Sequence, residues 1–234
     1  MPTSTTVIAA LKFESGVVIA SDSQASDPVA QVKWPISKLH PSGTFPLVVG
    51  FSGNVGEGDR VWEKLQKERI RPNMLKKREL VRNLLDRSFQ PRYEAIRKML
   101  ANPVAHPFWE IGLWGISAFW CNSAPHILEH ELSGVTTFHP SFHAIGSGAN
   151  TAYAICRTLG GTKLSSLDEH KATLAMIRIL RTSMDVEVQG VSGPIALYAV
   201  TEKTAKLLNE DIMNTYQQLV AEWEEDERRR FFDS

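Results

Sequence analysis

Apolar residues open the chain in a β-branched run from Thr6 to Phe13 (TVIAALKF) and resume, after Glu14-Ser15-Gly16, in Val17-Val18-Ile19-Ala20. Two short apolar runs separated by a turn predict a hairpin. A third run, Pro46 to Phe51, lies between Gly43 and Gly53 and predicts a buried strand. The middle of the chain changes period. Val61, Trp62 and Leu65 predict a helix from Arg60 to about Ile70, preceded by Gly58 and broken at Arg71-Pro72-Asn73. From Met74 to Met99, apolar residues mostly three to five apart (Leu80, Val81, Leu84, Leu85, Phe89, Tyr93) predict a second helix, bent or interrupted at Pro91. Strands are predicted again at Ile111 to Cys121, Pro125 to Leu132 and Phe142 to Gly146. Helices follow over Ser147 to Leu159 and Leu167 to Met184, then a strand over Pro194 to Thr201. A long amphipathic helix runs from Asn209 through Trp223 into the charge cluster Glu224 to Arg230. Strands and helices in separate blocks argue an α+β fold rather than alternating α/β.

Composition narrows the picture. The 234 residues are 43% hydrophobic and 22% charged, ordinary for a globular chain. No internal repeat or Gly/Ser/Pro-rich linker divides it, and one domain is expected. Twenty-six basic and 26 acidic side chains cancel, so the overall charge does not call for a nucleic-acid partner. No apolar run approaches the ~20 residues of a membrane helix, and Met1-Pro2-Thr3-Ser4 lacks the positive flank of a secretory signal. Cys121 and Cys156 are too few for a disulfide scaffold; with apolar neighbours they read as buried structural thiols in a reducing cytoplasm.

Several motifs are absent or misplaced. There is no P-loop, and Gly53 to Gly58 (GNVGEG) spaces its glycines wrongly for a dinucleotide fingerprint. No G-x-S-x-G elbow occurs. His126-Ile127-Leu128-Glu129-His130 matches the H-x-x-E-H of some zinc peptidases, but that motif needs a helix. In a strand the two histidines share a face and Glu129 points away. The reading is therefore two solvent-facing histidines, with no metal and no cofactor expected. The basic residues between Lys76 and Lys98 read as a solvated or inter-subunit helix face, and the aromatics from Phe108 to Trp120 as core.

The informative pattern is a spaced set. Thr5-Thr6 opens the first strand and Asp22 ends the second in ASDSQAS. Lys38 follows sixteen residues later in Ser37-Lys38-Leu39, and Gly50-Phe51-Ser52-Gly53 forms a corner after a buried strand. Gly146-Ser147-Gly148 opens a helix, and Ser192-Gly193 precedes the last long strand. In TTVIA, GVVIASDSQAS, SKL, VVGFSG and AIGSGA, in that order, the chain resembles the proteasome β-subunit family, including bacterial peptidases of the heat-shock-locus V type. The resemblance runs from Thr5 to about Thr201.

That resemblance implies an N-terminal-nucleophile hydrolase with a four-layer αββα sandwich of two antiparallel sheets, assembled as a homo-oligomeric double ring. It implies a threonine endopeptidase acting on unfolded protein or peptide, with a separate ATPase unfoldase as a candidate partner. Matching Asp22 and Lys38 without gaps puts the nucleophile at Thr6; Thr5 fits only with one extra residue in the first hairpin. Residues 1–5 would then be a leader to be removed, and 6–234 the mature domain. A threonine hydroxyl needs a base, which a freed α-amine of pKa ~8 on the same residue can supply. Lys38 would lower that pKa, and Asp22 would keep Lys38 charged. The Gly53 N–H would stabilise the oxyanion, and Ser147 and Ser192 would support the amine. Ala25, Ile36 and Phe51 match pocket-forming positions. Two features depart from the family pattern: Thr5 stands where active members usually carry Gly, and Gln189 where an Asp is frequent. The competing expectations are a catalytically silent ring subunit and a small-amide hydrolase of the same fold.

Overall fold

A computed structural model of the chain describes residues 6–27, 32–43, 45–68, 77–101, 112–131, 133–186 and 191–233. The first hairpin forms as the sequence dictates, β1 (Ile8–Phe13) against β2 (Gly16–Ser21), with Ile8 opposite Ser21 and Phe13 opposite Gly16. A two-stranded ribbon follows, β3 (Gln24–Asp27) with β4 (Val32–Pro35). Next come β5 (Leu39–Pro41), β6 (Leu47–Gly53) and the helices α1 (Val55–Lys67) and α2 (Arg78–Leu100). Strands β7 (Leu113–Cys121), β8 (Ala124–His130), β9 (Thr136–His139) and β10 (Phe142–Ile145) lead to helix α3 (Ala149–Thr158), a 3-10 turn (Gly161–Ser166) and α4 (Glu169–Val186). The hairpin β11 (Ala196–Thr201) and β12 (Ala205–Leu207) precedes α5 (Glu210–Phe232).

Two five-stranded antiparallel sheets result, ordered β10-β1-β2-β11-β12 and β5-β6-β7-β8-β9. Period-two alternation sorts their side chains into layers. From the first sheet, Ile8, Ala10, Val17 and Ile19 meet Val48, Ile116, Ala118 and Ile127 of the second. The opposite residues, Val7, Ala9, Leu11 and Val18, pack under Met176, Ile179 and Leu180 of α4, with Met213 and Val220 of α5 in the same cluster. On the second sheet's outer face, Leu47, Val49 and Phe51 pack against Val61 and Leu65 of α1 and Leu84, Leu85 and Phe89 of α2. The layers are helix, sheet, sheet, helix: the expected αββα sandwich.

Some expectations shift. Helix α1 begins at Val55 rather than Arg60, because the Asn54 side chain accepts the Glu57 N–H and caps it. Gly58 therefore lies inside the helix, where Phe51 leaves little room for a side chain. Helix α2 continues through Pro91. His126 and His130 are buried, not solvent-facing. The His130 ring stacks on Phe89 at 4.1 Å and bonds Ser117 Oγ at 3.0 Å, and burial pushes its pKa down to about 3. The basic face of α2 is largely paired within the fold: Arg92 with Glu57, Arg82 with Asp86 and Thr136, Arg87 with Glu68. Cys121 and Cys156 are buried, and burial raises both thiols to about 11. Lys76, Arg71-Pro72-Asn73, Phe108 and Trp109 lie outside the described residues. No helix among the described residues is long and apolar enough to cross a membrane.

Candidate active site

The candidate residues converge where β1 begins, β2 ends and β5 and β6 meet. Thr6 is 2% exposed, Asp22 0% and Lys38 7%. The Lys38 ammonium donates to Thr6 Oγ1 at 3.0 Å and to both Asp22 carboxylate oxygens at 2.8 Å. Asp22 is held from behind by the backbone: the Val7 N–H donates to Oδ1 at 3.0 Å and the Gln24 N–H to Oδ2 at 3.4 Å. Lys38 is presented by the start of β5, where its carbonyl accepts the Phe51 N–H at 3.2 Å. Burial pushes the pair toward neutrality, lowering the Lys38 pKa and raising that of Asp22, while their mutual attraction opposes both shifts.

The turn after β10 closes over Thr6. Its N–H donates to Ser147 Oγ at 3.1 Å, and the Gly148 N–H donates to the Thr6 carbonyl at 3.2 Å. Gly146 has φ +95°, and a Cβ there would lie 2.1 Å from the Thr6 oxygen, so only glycine permits this approach. These backbone braces on Asp22 and Thr6 carry no residue-type signal, and sequence reading could not have supplied them.

Gly53 ends β6 with φ +112°, immediately before the α1 cap, and a Cβ would meet the Gly112 carbonyl oxygen at 2.2 Å. Gly53→Ala is therefore expected to cost about 2–3 kcal/mol. For a domain of this size thermal unfolding should fall by roughly 5–10 °C, measured by circular dichroism.

The remaining candidates divide. Ser192 is half-buried, and the Gly193 that follows it packs beside the Ser23–Gln24 backbone at the start of β3. Ala25 is buried on β3, and the half-buried Ile36 donates its N–H to the Ser23 carbonyl at 3.0 Å. The Phe51 ring is committed to packing, 5.7 Å from Phe89 and 5.3 Å from His40, so its link to Lys38 runs through its backbone. Thr5, the rest of residues 1–5 and Gln189 lie outside the described residues.

A sheet-on-sheet sandwich with a Thr-Lys-Asp cluster at the mouth of its first hairpin places the chain among proteasome-type subunits. The Proteasome subunit family model matches residues 1–196, and the chain belongs to that family. No curated protein sequence matches it. Among solved structures it is similar to Anbu (ancestral beta-subunit) from Yersinia bercovieri, with a TM-score of 0.76 at 14% identity over 97% of each chain. It is also similar to the Anbu (Gly-1) mutant from Hyphomicrobium sp. strain MC1, with a TM-score of 0.72 at 17% identity over 98% of this chain and 97% of that one. At these identities the likeness is one of fold.

Proposed function

We propose that the protein is a threonine-type endopeptidase whose nucleophile is Thr6, freed by removal of residues 1–5, and that it works inside a ring of its own copies in the cytoplasm. The observation that carries this reading is the 3.0 Å contact from Lys38 to Thr6 Oγ1, with Asp22 gripping the same ammonium at 2.8 Å. In the freed protein the Thr6 nitrogen is an amine rather than an amide. Its neutral form takes the hydroxyl proton as Oγ1 attacks the substrate carbonyl. The Lys38 ammonium lowers the amine's pKa and steadies the developing alkoxide. The Gly53 N–H, beside the N-terminus of α1, is suited to the oxyanion. The protonated amine then delivers its proton to the leaving nitrogen, and water releases the acyl-enzyme by the same route. Ser147 orients the amine and needs no charge to do so. The substrate is unfolded polypeptide, and a separate ATPase is the partner suited to deliver it.

Intact mass and peptide hydrolysis on one preparation test this. The expected result is a chain beginning at Thr6 that cleaves casein and fluorogenic peptides. A chain that keeps residues 1–5 and stays inert would support the silent-subunit reading, and turnover of small amides alone the amidase reading. A start at Thr5 would move the nucleophile by one residue.

A further inference from the structure

The glutamate of the HILEH segment does not face its own histidines. Glu129 on β8 points to the opposite side of the strand, where it meets His139 at the end of β9 and His143 on β10. His139 Nε2 lies 2.9 Å from Glu129 Oε2, and His143 Nε2 lies 3.2 Å from the same oxygen. The three donor atoms all fall within 4.8 Å of one another.

We propose that Glu129, His139 and His143 form a binding site for a divalent transition-metal ion of the zinc class, clipping the edge of one sheet to the edge of the other. Two imidazoles and a carboxylate are a donor set that such ions take, and hard cations such as Mg²⁺ and Ca²⁺ do not. Metal–ligand bonds of 2.0–2.2 Å in a tetrahedron set neighbouring donors about 3.3 Å apart, close to the two distances the cluster already shows. Entry of the ion requires the imidazole rings, stacked at 3.6 Å and 19°, to splay modestly.

Two further observations point to a ligand. The His143 side chain is 7% exposed, and its buried Nε2 is aimed into the cluster, 3.2 Å from Glu129 Oε2 but outside hydrogen-bonding geometry. Its other nitrogen, Nδ1, is bonded by Tyr153 Oη of α3 at 2.6 Å. That bond orients the ring and leaves Nε2 for coordination, the usual outer support of a metal-bound histidine. One carboxylate oxygen of Glu129 faces both rings, with His139 Nε2 in hydrogen-bond contact. Glu129 and His139 are 17% and 20% exposed, so solvent reaches the open coordination positions. The site joins β8 and β9 of the second sheet to β10 of the first, and β10 runs directly into the turn that presents Ser147.

The test is titration of chelator-stripped full-length protein with Zn²⁺ and Co²⁺, with Mg²⁺ and Ca²⁺ as controls. One Zn²⁺ per chain is expected, with a cobalt spectrum lacking thiolate charge-transfer bands and a thermal midpoint raised by the metal. His139→Gln, at a partly exposed strand end and well placed to fold, should weaken binding at least about 100-fold, and Tyr153→Phe about 10–100-fold. His126→Gln should leave it unchanged. The site would be overturned by thiolate bands in the cobalt spectrum, by wild-type affinity in both His139→Gln and Glu129→Gln, or by a failure to bind zinc stoichiometrically. It would then be a proton-sharing network only.

Discussion

Thr6→Ala is expected to lower peptide hydrolysis by at least about 10⁴-fold, while Thr6→Ser retains it within a few tens-fold. Removing a nucleophile abolishes the covalent route, and what remains is the modest acceleration that binding and oxyanion contacts supply. The cost to the fold is small by comparison. Thr6 Oγ1 is one acceptor of a Lys38 ammonium that still holds both oxygens of Asp22. Losing one such bond costs about 1–2 kcal/mol, roughly 2–8 °C in thermal midpoint. Activity and stability therefore separate, and a folded Thr6→Ala protein is a clean control. The same variant reports on the leader. If the Thr6 hydroxyl makes its own N-terminus, Thr6→Ala keeps residues 1–5 in the mass spectrum. If another peptidase does, the leader is lost from an inactive chain. Wild-type hydrolysis in Thr6→Ala would remove Thr6 from the mechanism.

Legibility in the sequence followed chemistry more than geometry. The α+β class was readable because the strand and helix blocks stand apart, and the αββα layering came from the family resemblance; β1 and β2 are near-continuous apolar runs, buried on both faces. The ribbon of β3 and β4 was not readable, because four residues each, QASD and VKWP, are too short to carry a distinct pattern. Asp22, Lys38 and Ser147 were placed by their spacing in a family pattern, and the fold brings all three to Thr6. Ser192 matched the same pattern, and the Gly193 after it packs beside the Ser23–Gln24 backbone, just past Asp22. The histidines were misread. Strand alternation rightly put Glu129 opposite His126 and His130. It could not show that the buried face belonged to the histidines, nor that His139 and His143 from two later strands would meet the carboxylate. Such contacts are set by how sheets stack, which no local window contains.

Lys38→Met is expected to cut hydrolysis by about 10²–10⁴-fold and to move the rising limb of its pH profile upward. Without the ammonium, the Thr6 amine stands near an unshielded Asp22 carboxylate, and its proton is held more tightly. The stability effect has a different origin. Lys38 has a pKa below the ordinary 10.5, so its unfolded form holds the extra proton between the two values, and its contribution to stability rises with pH through that window. Asp22 has a pKa above the ordinary 3.8, so its folded form holds the extra proton, and its contribution falls as pH rises through its window. The pair is buried and desolvated, a cost the fold accepts for the sake of the site. Removing one partner strands the other, so Lys38→Met alone should destabilise by about 3–5 kcal/mol. Adding Asp22→Asn removes the stranded charge and keeps a side-chain oxygen for the Val7 N–H, so the double variant should return to within about 1 kcal/mol of wild type. It should remain inactive, because neutrality restores the fold and not the tuned amine. A scaffold role for the pair would instead restore hydrolysis along with the melting temperature, and that result would end the case for Lys38 and Asp22 as parts of a catalytic apparatus.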